Sequence, residues 1–269
     1  MKNLKKILAL AFLGAVILNL SCGDGGDDDP GITDNFDRES MLAHWADNII
    51  IPSYDRYLQT LTDLQSEKDA FLADATMDNL IALRSDFRTA YEAWQSVSIY
   101  EIGPAETVSL RNFSNIFPTN PQEIEENVTS GTANLTLPSN NDSQGFPALE
   151  YLLYGVAADD AAILAKLSES NYQNYMSDLI ERLNGLATSV RNGWRDDGYR
   201  DTFVNDNGST ATSSVNRMAN DFLFYYEKAL RAGKVGIPAG VFNGSPLGER
   251  SDAPFAGDFS KVGPALINI

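Results

Sequence analysis

The chain is 269 residues long, carries 37 acidic against 20 basic side chains for a formal charge of −17, and contains one histidine and one cysteine. Such an acidic chain repels nucleic acid and anionic lipid headgroups, which excludes both as electrostatic partners. A lone cysteine excludes a disulfide framework, a lone histidine leaves no His-Glu-x-x-His or other multi-histidine zinc site, and the length holds one large domain or two small ones.

Residues 1–22 read as a secretory signal. Lys2, Lys5 and Lys6 open it, and an apolar run over 7–20 follows, broken by Gly14 and Asn19. At about 14 residues the run is shorter than the ~20 that span a bilayer. Leu18-Asn-Leu-Ser-Cys22 is a loose lipobox, so Cys22 is the expected lipidated N-terminus of the mature chain, and the lipid would anchor it in the membrane. Loss of the signal removes three lysines and no acids, which makes the mature charge more negative still. Residues 23–36 form an acidic tether with no means of building a core. Acidic residues behind a lipidated cysteine resemble signals that send lipoproteins to the cell surface, and they serve equally as a solvated spacer. The expected location is the cell envelope, lipid-anchored in the outer membrane on its periplasmic or surface face.

From there the pattern is helical. Tyr54, Leu58, Leu61 and Leu64 recur every three or four residues, which predicts one long helix entering near Ser40 and carrying Pro52 in its early part. Leu80, Leu83, Phe87, Ala90, Trp94 and Val97 mark a second helix, and the turn over 74–78 is short enough to pack the two antiparallel. Gly103-Pro104 ends it. Residues 105–141 read as irregular, with a short helix at 122–127; a loop this long inside a domain is usually functional or packs as a lid. Gly145-Phe-Pro-Ala-Leu-Glu150-Tyr-Leu-Leu-Tyr-Gly155 predicts a short helix with Pro147 in its first turn and Gly155 as its stop. Glu150 is its one charge, and a carboxylate in such company needs a partner or a raised pKa.

A second helical set follows. Tyr172, Met176, Leu179, Leu183, Leu186 and Val190 form one stripe; Val215, Met218, Phe222, Tyr225 and Ala229 form another. The latter is expected to close at Gly233, with Lys228, Arg231 and Lys234 at the negative end of its dipole. The boundaries expected are a first helical bundle over 37–158 and a second over 159–269. Residues 91–106 and 225–240 hint at an internal repeat, both running from an aromatic helix into Pro-Ala.

The candidate chemistry is a carboxylate cluster. Glu101, Glu106 and Glu150 each adjoin a helix end or the long loop, and oxygen-rich sites suit hard cations, ferric iron included, better than zinc. Arg111 is the nearest base, so a structural Glu150–Arg111 pair is the competing reading. His44, beside Trp45, reads more readily as a packed or capping residue than as a catalytic one.

The chain resembles the imelysin-like family of bacterial envelope lipoproteins, whose signature is Gly-x-His-x-x-Glu followed by an apolar run and a glycine. Gly145 and Glu150 match its ends, and Pro147 stands where the histidine would be. The resemblance runs from about residue 44 to 269 and is carried also by Ile49-Ile-Ile-Pro52-Ser-Tyr54, Trp94 with Gly103-Pro104-Ala-Glu106, and Lys234-Val-Gly-Ile-Pro238. It implies an all-α fold of two helical bundles, a link to iron acquisition or cation handling, and a history as insulin-cleaving peptidases. In the family more helical sequence follows the last segment; here Pro264-Ala-Leu-Ile-Asn-Ile269 reads as the opening of an apolar helix, so the second bundle is expected to be incomplete and to expose an apolar surface that a protein partner would cover. With the motif histidine absent, binding is favoured over catalysis. The expected site comprises Gly145, Pro147, Glu150, Glu106 and Arg111, with Glu150, Glu106 and Glu101 holding iron or another divalent or trivalent cation, or a small ligand taking their place. The rivals are a metallopeptidase recruiting His44 and a protein-binding surface lipoprotein.

Overall fold

The structure, a computed structural model, describes residues 35–246 and Phe255. Cys22 with its signal, nearly all of the tether, and the apolar segment at 264–269 lie outside the described residues. The chain divides into Met1–Asp37 and Arg38–Ile269, and every described helix lies in the second unit. The fold is all-α, with no strand among the described residues. None of the described helices is long and apolar enough to cross a membrane.

The first helical run is continuous, as the spacing predicts, but it changes gauge. Helix α1 (Arg38–Trp45) passes through a π-helical turn (Ala46–Ile50) into α2 (Ile51–Ala73). Pro52 explains the wide turn: its ring has no N–H to donate and collides with the carbonyl of an α-helical preceding turn. Helix α3 (Met77–Gln95) starts where the Thr76 side chain accepts from the Asn79 N–H at 3.3 Å. It packs antiparallel on α2 and buries Leu80, Leu83, Phe87, Ala90 and Trp94.

The stretch over 105–141 is more ordered than the sequence suggests. It holds α4 (Pro104–Val108), α5 (Leu110–Ser114), α6 (Pro121–Ser130) and a 3₁₀ turn (Pro138–Asn140). Asn120 caps α6 by accepting from the Glu123 N–H at 3.2 Å, and Gly131 ends it in the left-handed region, so the short helix expected at 122–127 runs a full ten residues. The motif helix α7 (Gly145–Glu150) continues as a π-helical turn (Tyr151–Gly155).

Two helices carry no early signal: α8 (Asp160–Leu167), capped by Asp159, and α10 (Tyr199–Asn205). Between them α9 (Ser170–Arg195) runs as its stripe predicts, but the expected break at 158/159 is not a break in packing. Helix α9 lies along α2 and also meets α4, α6 and α7. Gly193 allows this, because a Cβ there would stand 2.6 Å from the Pro104 ring of α4. Finally α11 (Ser214–Phe224) passes into a π-helical segment (Tyr225–Gly236). That segment runs past the stop expected at Gly233, and Ile237 still donates to the carbonyl of Ala232, five residues back, at 2.9 Å.

The core centres on Phe146 of the motif helix. Its ring stacks on Tyr91 at 4.7 Å and meets Tyr57, Phe87 and Trp94 at 6.1–6.3 Å, all fully or nearly fully buried. The motif thus plugs the end of the α2–α3 pair.

Candidate functional site

All six residues of α7 are buried. Gly145 adopts φ +75°, and a Cβ there would run into the carbonyl of Ser114 at the end of α5. Only glycine meets both demands, so the motif backbone lies directly on α5. Pro147 occupies the third helical position, where an absent N–H leaves no intrahelical bond unmade. Tyr151, just beyond, donates to Glu125 of α6 at 2.9 Å, and Tyr172 of α9 donates to the other oxygen of the same carboxylate at 2.5 Å.

Glu150 is 1 % exposed. Its Oε1 accepts from the backbone N–H of Phe255 at 2.6 Å, and the Phe255 ring sits edge-on to Tyr151 and against the bare Cα of Gly155. The motif glutamate is thus joined to Phe255, 105 residues further along the chain. The Glu150–Arg111 pair that sequence proximity suggests is not formed.

Arg111 looks elsewhere. Its guanidinium meets Asp221 of α11 bidentately at 3.1–3.2 Å, and its Nε donates to the Ser98 carbonyl at 2.8 Å. Its backbone N–H reaches both oxygens of Glu101 at 2.9 and 3.1 Å, and the Glu101 N–H donates to Asp221 at 2.8 Å. Burial pushes the Glu101 carboxyl up to about 7; the Arg111 charge and N–H pull the other way, and Asp221 and Glu106 add to the rise. Glu106 is exposed and pairs with Arg217 at 2.8 Å. Thus Glu101, Glu106 and Glu150 serve three separate partners. No group of three or more His, Cys, Asp or Glu side chains among the described residues is placed to hold a metal ion, so the expected three-glutamate site is not assembled. His44 is exposed on α1 with its Nδ1 3.2 Å from Asn48 on the next turn, away from any of these groups.

What the sequence did not disclose is a cavity of about 390 Å³ between α3, the α5 region and the helix over 214–236. Trp94, Phe117, Phe224, Tyr225 and Phe242 give it aromatic walls. Arg111, Lys228 and Lys234 line it as well, and no acidic side chain does among the described residues. Asn112 and Asn115 supply amides, and Asn115 Oδ1 already accepts from Tyr91 at 3.0 Å. Lys234 donates to Gln95 Oε1 at 2.7 Å. The sequence does contain a signal, the basic run Lys228, Arg231, Lys234, but it reads as dipole complement. In the fold Arg231 pairs with Glu227 on the outside, while the two lysines face the cavity. The motif supports this cavity without lining it: Phe146 backs Trp94, and Gly145 abuts Ser114, whose neighbour Asn115 is in the wall.

The imelysin family model matches residues 50–255, which is most of the chain. The chain belongs to the imelysin family. It is 22% identical to iron-regulated protein A of Synechococcus elongatus over 204 residues, 76% of this chain and 52% of that protein, so it spans about half the length of that curated relative. Among solved structures it resembles an iron-regulated protein A precursor from Parabacteroides distasonis (TM-score 0.68, 18% identity) and an imelysin-like protein from Psychrobacter arcticum 273-4 (TM-score 0.68, 20% identity). Each likeness covers 86% of this chain and 71% of the other, and at these identities it shows the fold. Within this imelysin fold the signature's glycine admits the close approach of α5, and its glutamate accepts the N–H of Phe255. With proline in place of the histidine, the signature here offers no side-chain nitrogen.

Proposed function

We propose that this imelysin-family chain is an exported, envelope-located binding protein, lipid-anchored at Cys22, that receives a small ligand in the cavity beside the motif. The observation that carries this reading is the cavity itself, about 390 Å³, walled by aromatic and polar groups. Cavities of this size with a few convergent polar groups are the usual form of a small-molecule site. A role in iron or cation supply is consistent with the names of the relatives, and the word precursor in one of them is consistent with export. A peptidase reading has little support, because Glu150 is spent on a backbone N–H and His44 lies exposed on another helix.

The test is a ligand-observed NMR screen of the purified protein against aromatic fragments of positive, zero and negative charge. Binding of at least one fragment that disappears in Ala232→Trp, a substitution filling the cavity from its helical wall, is expected. If no fragment of any charge binds in an Ala232-dependent way, the reading fails. Chelator-sensitive digestion of insulin B chain by the same preparation would replace it with the peptidase.

A further inference from the structure

Polar groups at helical spacing tie one face of the helix over 214–236 to the segment over 98–111. Arg217, Asp221 and Tyr225 follow one another every four residues and so share a face. Arg217 pairs with Glu106 at 2.8 Å, and the Tyr225 hydroxyl accepts from Ser98 Oγ at 2.9 Å. Between them Asp221 accepts from the Arg111 guanidinium at 3.1–3.2 Å and from the Glu101 N–H at 2.8 Å. Apolar burial adds little to this hold. Along α11 and its π-helical continuation only Ser214, Tyr225 and Gly236 are buried, while Phe222, Leu223 and Phe224 are more than half exposed. An element held by hydrogen bonds and ion pairs, with little core of its own, lies at the low end of local stability. An exposed stretch containing Gly208 leads into it, and its inner side is a wall of the cavity.

The clamp has one charge too many. Among the described residues two cations, Arg111 and Arg217, meet three carboxylates, Glu101, Glu106 and Asp221, so it balances when one carboxyl carries a proton. Glu101 is the one placed to carry it. It is partly buried with both oxygens on the Arg111 N–H, and the groups facing it among the described residues are Arg111, Asp221, Glu106 and the Tyr54 phenol of α2. Burial raises its carboxyl to about 7; Arg111 pulls against this, and Asp221 and Glu106 add to it. Once ionised, Glu101 leaves surplus negative charge where water is scarce. Glu101, Glu106 and Arg111 all belong to the 98–111 segment, and Asp221 is the one carboxylate of the three that the helix brings. Hydrating Glu101 and parting it from Asp221 therefore means letting the helix go.

We infer that the helix over 214–236 is a hinged wall of the cavity, clamped at Asp221 while Glu101 keeps its proton and released as Glu101 ionises. That this release opens a binding site rests on the reading of the cavity as one; the motion of the helix does not. The clamped form holds its proton up to about 7, and a hydrated Glu101 loses it near the ordinary 4.5. Between those values the equilibrium shifts toward the released form by at most about tenfold per pH unit as pH rises.

Hydrogen exchange read by mass spectrometry at pH 5.5 and pH 8, with rates corrected for the intrinsic effect of pH on exchange, tests the hinge. In the parent, amides over 214–236 should lose protection at least fivefold at pH 8 while those of α2 and α3 keep theirs. Glu101→Gln keeps an acceptor for the Arg111 N–H and never ionises, so it should hold the pH 5.5 level of protection at both values. Asp221→Asn should lower protection of the same segment at least threefold already at pH 5.5. Equal protection at the two pH values in the parent, a pH effect that persists in Glu101→Gln, or a loss spread evenly over α2 and α3 would overturn the hinge. Neutral fragments then separate the motion from the site. Binding that depends on Ala232, with an on-rate that rises from pH 5.5 to pH 8 in the parent and stays flat in Glu101→Gln, supports the gate, and an on-rate equal at both values in the parent overturns it. A blank fragment screen beside a moving helix would remove the binding site and leave the hinge standing.

Discussion

At Gly145 two constraints coincide: φ is +75°, and the hydrogen facing Ser114 stands where a Cβ would meet a backbone carbonyl that cannot swing aside. Gly145→Ala therefore pays for a left-handed backbone, about 1–2 kcal/mol, and for separating α7 from α5. A loss above ~2 kcal/mol is expected in denaturant melts; an unchanged midpoint would show that α5 yields. Glu101 gives a residue-scale prediction with a sign. In the unfolded chain its carboxyl loses the proton near 4.5, and in the fold not until about 7. Between those values the folded state holds the extra proton, so stability from this group is full below 4.5 and declines as pH rises to 7. The change across the window is on the order of 1–3 kcal/mol, allowing for the partial exposure of the side chain. Thermal melts from pH 5 to pH 8 should fall more steeply in the parent than in Glu101→Gln, and parallel profiles would show that Glu101 titrates normally. Neither residue's role is legible in sequence. The partners that matter are Ser114 for Gly145 and Asp221 for Arg111, and the second lies 110 positions away, whereas proximity along the chain pointed to Glu150.

At the scale of elements, legibility follows length. Helices α2, α3 and α9 run 23, 19 and 26 residues, long enough for a 3.6-residue stripe to repeat, and each appears where its stripe lies. Helices α4 and α5 have five residues each, less than two turns, so no periodicity can form and their Asn, Ser and Pro content reads as loop. The π-helical segments were equally hidden, because a wide turn follows from Pro52 or from tertiary packing and leaves the apolar spacing nearly intact. The motif helix is short too, yet was found from its proline, its glycine and its apolar run; what those could not give is which ring it drives into the core. That ring is Phe146, fully buried against Tyr57, Phe87, Tyr91 and Trp94. Phe146→Ala is expected to cost roughly 3–5 kcal/mol, because a rigid aromatic cage cannot collapse into the space. Differential scanning calorimetry should show a drop of about 10 °C, since 1 kcal/mol moves a domain of this size by roughly 2–4 °C. A shift within 2 °C would mean that α7 is an accessory to the α2–α3 pair, not its plug.

Across the whole molecule, charge and apolar surface oppose each other. On α11 and the helical segment beyond it, Phe222, Leu223, Phe224, Tyr226 and Val235 are each about half exposed, and Trp45, Ile49 and Met218 join Phe222 in an open apolar groove of about 350 Å³. An apolar face of this extent favours association. The formal charge of −17 disfavours it, because two such chains repel over a Debye length of ~30 Å at 0.01 M salt but only ~3 Å at 1 M. Salt should therefore act as the switch. Size exclusion with light scattering is expected to give a monomer mass in 10 mM sodium chloride and a growing multimer fraction in 1 M, at equal protein concentration. The double substitution Phe222→Lys and Leu223→Lys should abolish the high-salt species with little change in melting temperature, because both side chains are already more than half in water. A multimer fraction that is the same at both salts, or that survives in the double variant, would place the association elsewhere and leave this face as ordinary exposed surface.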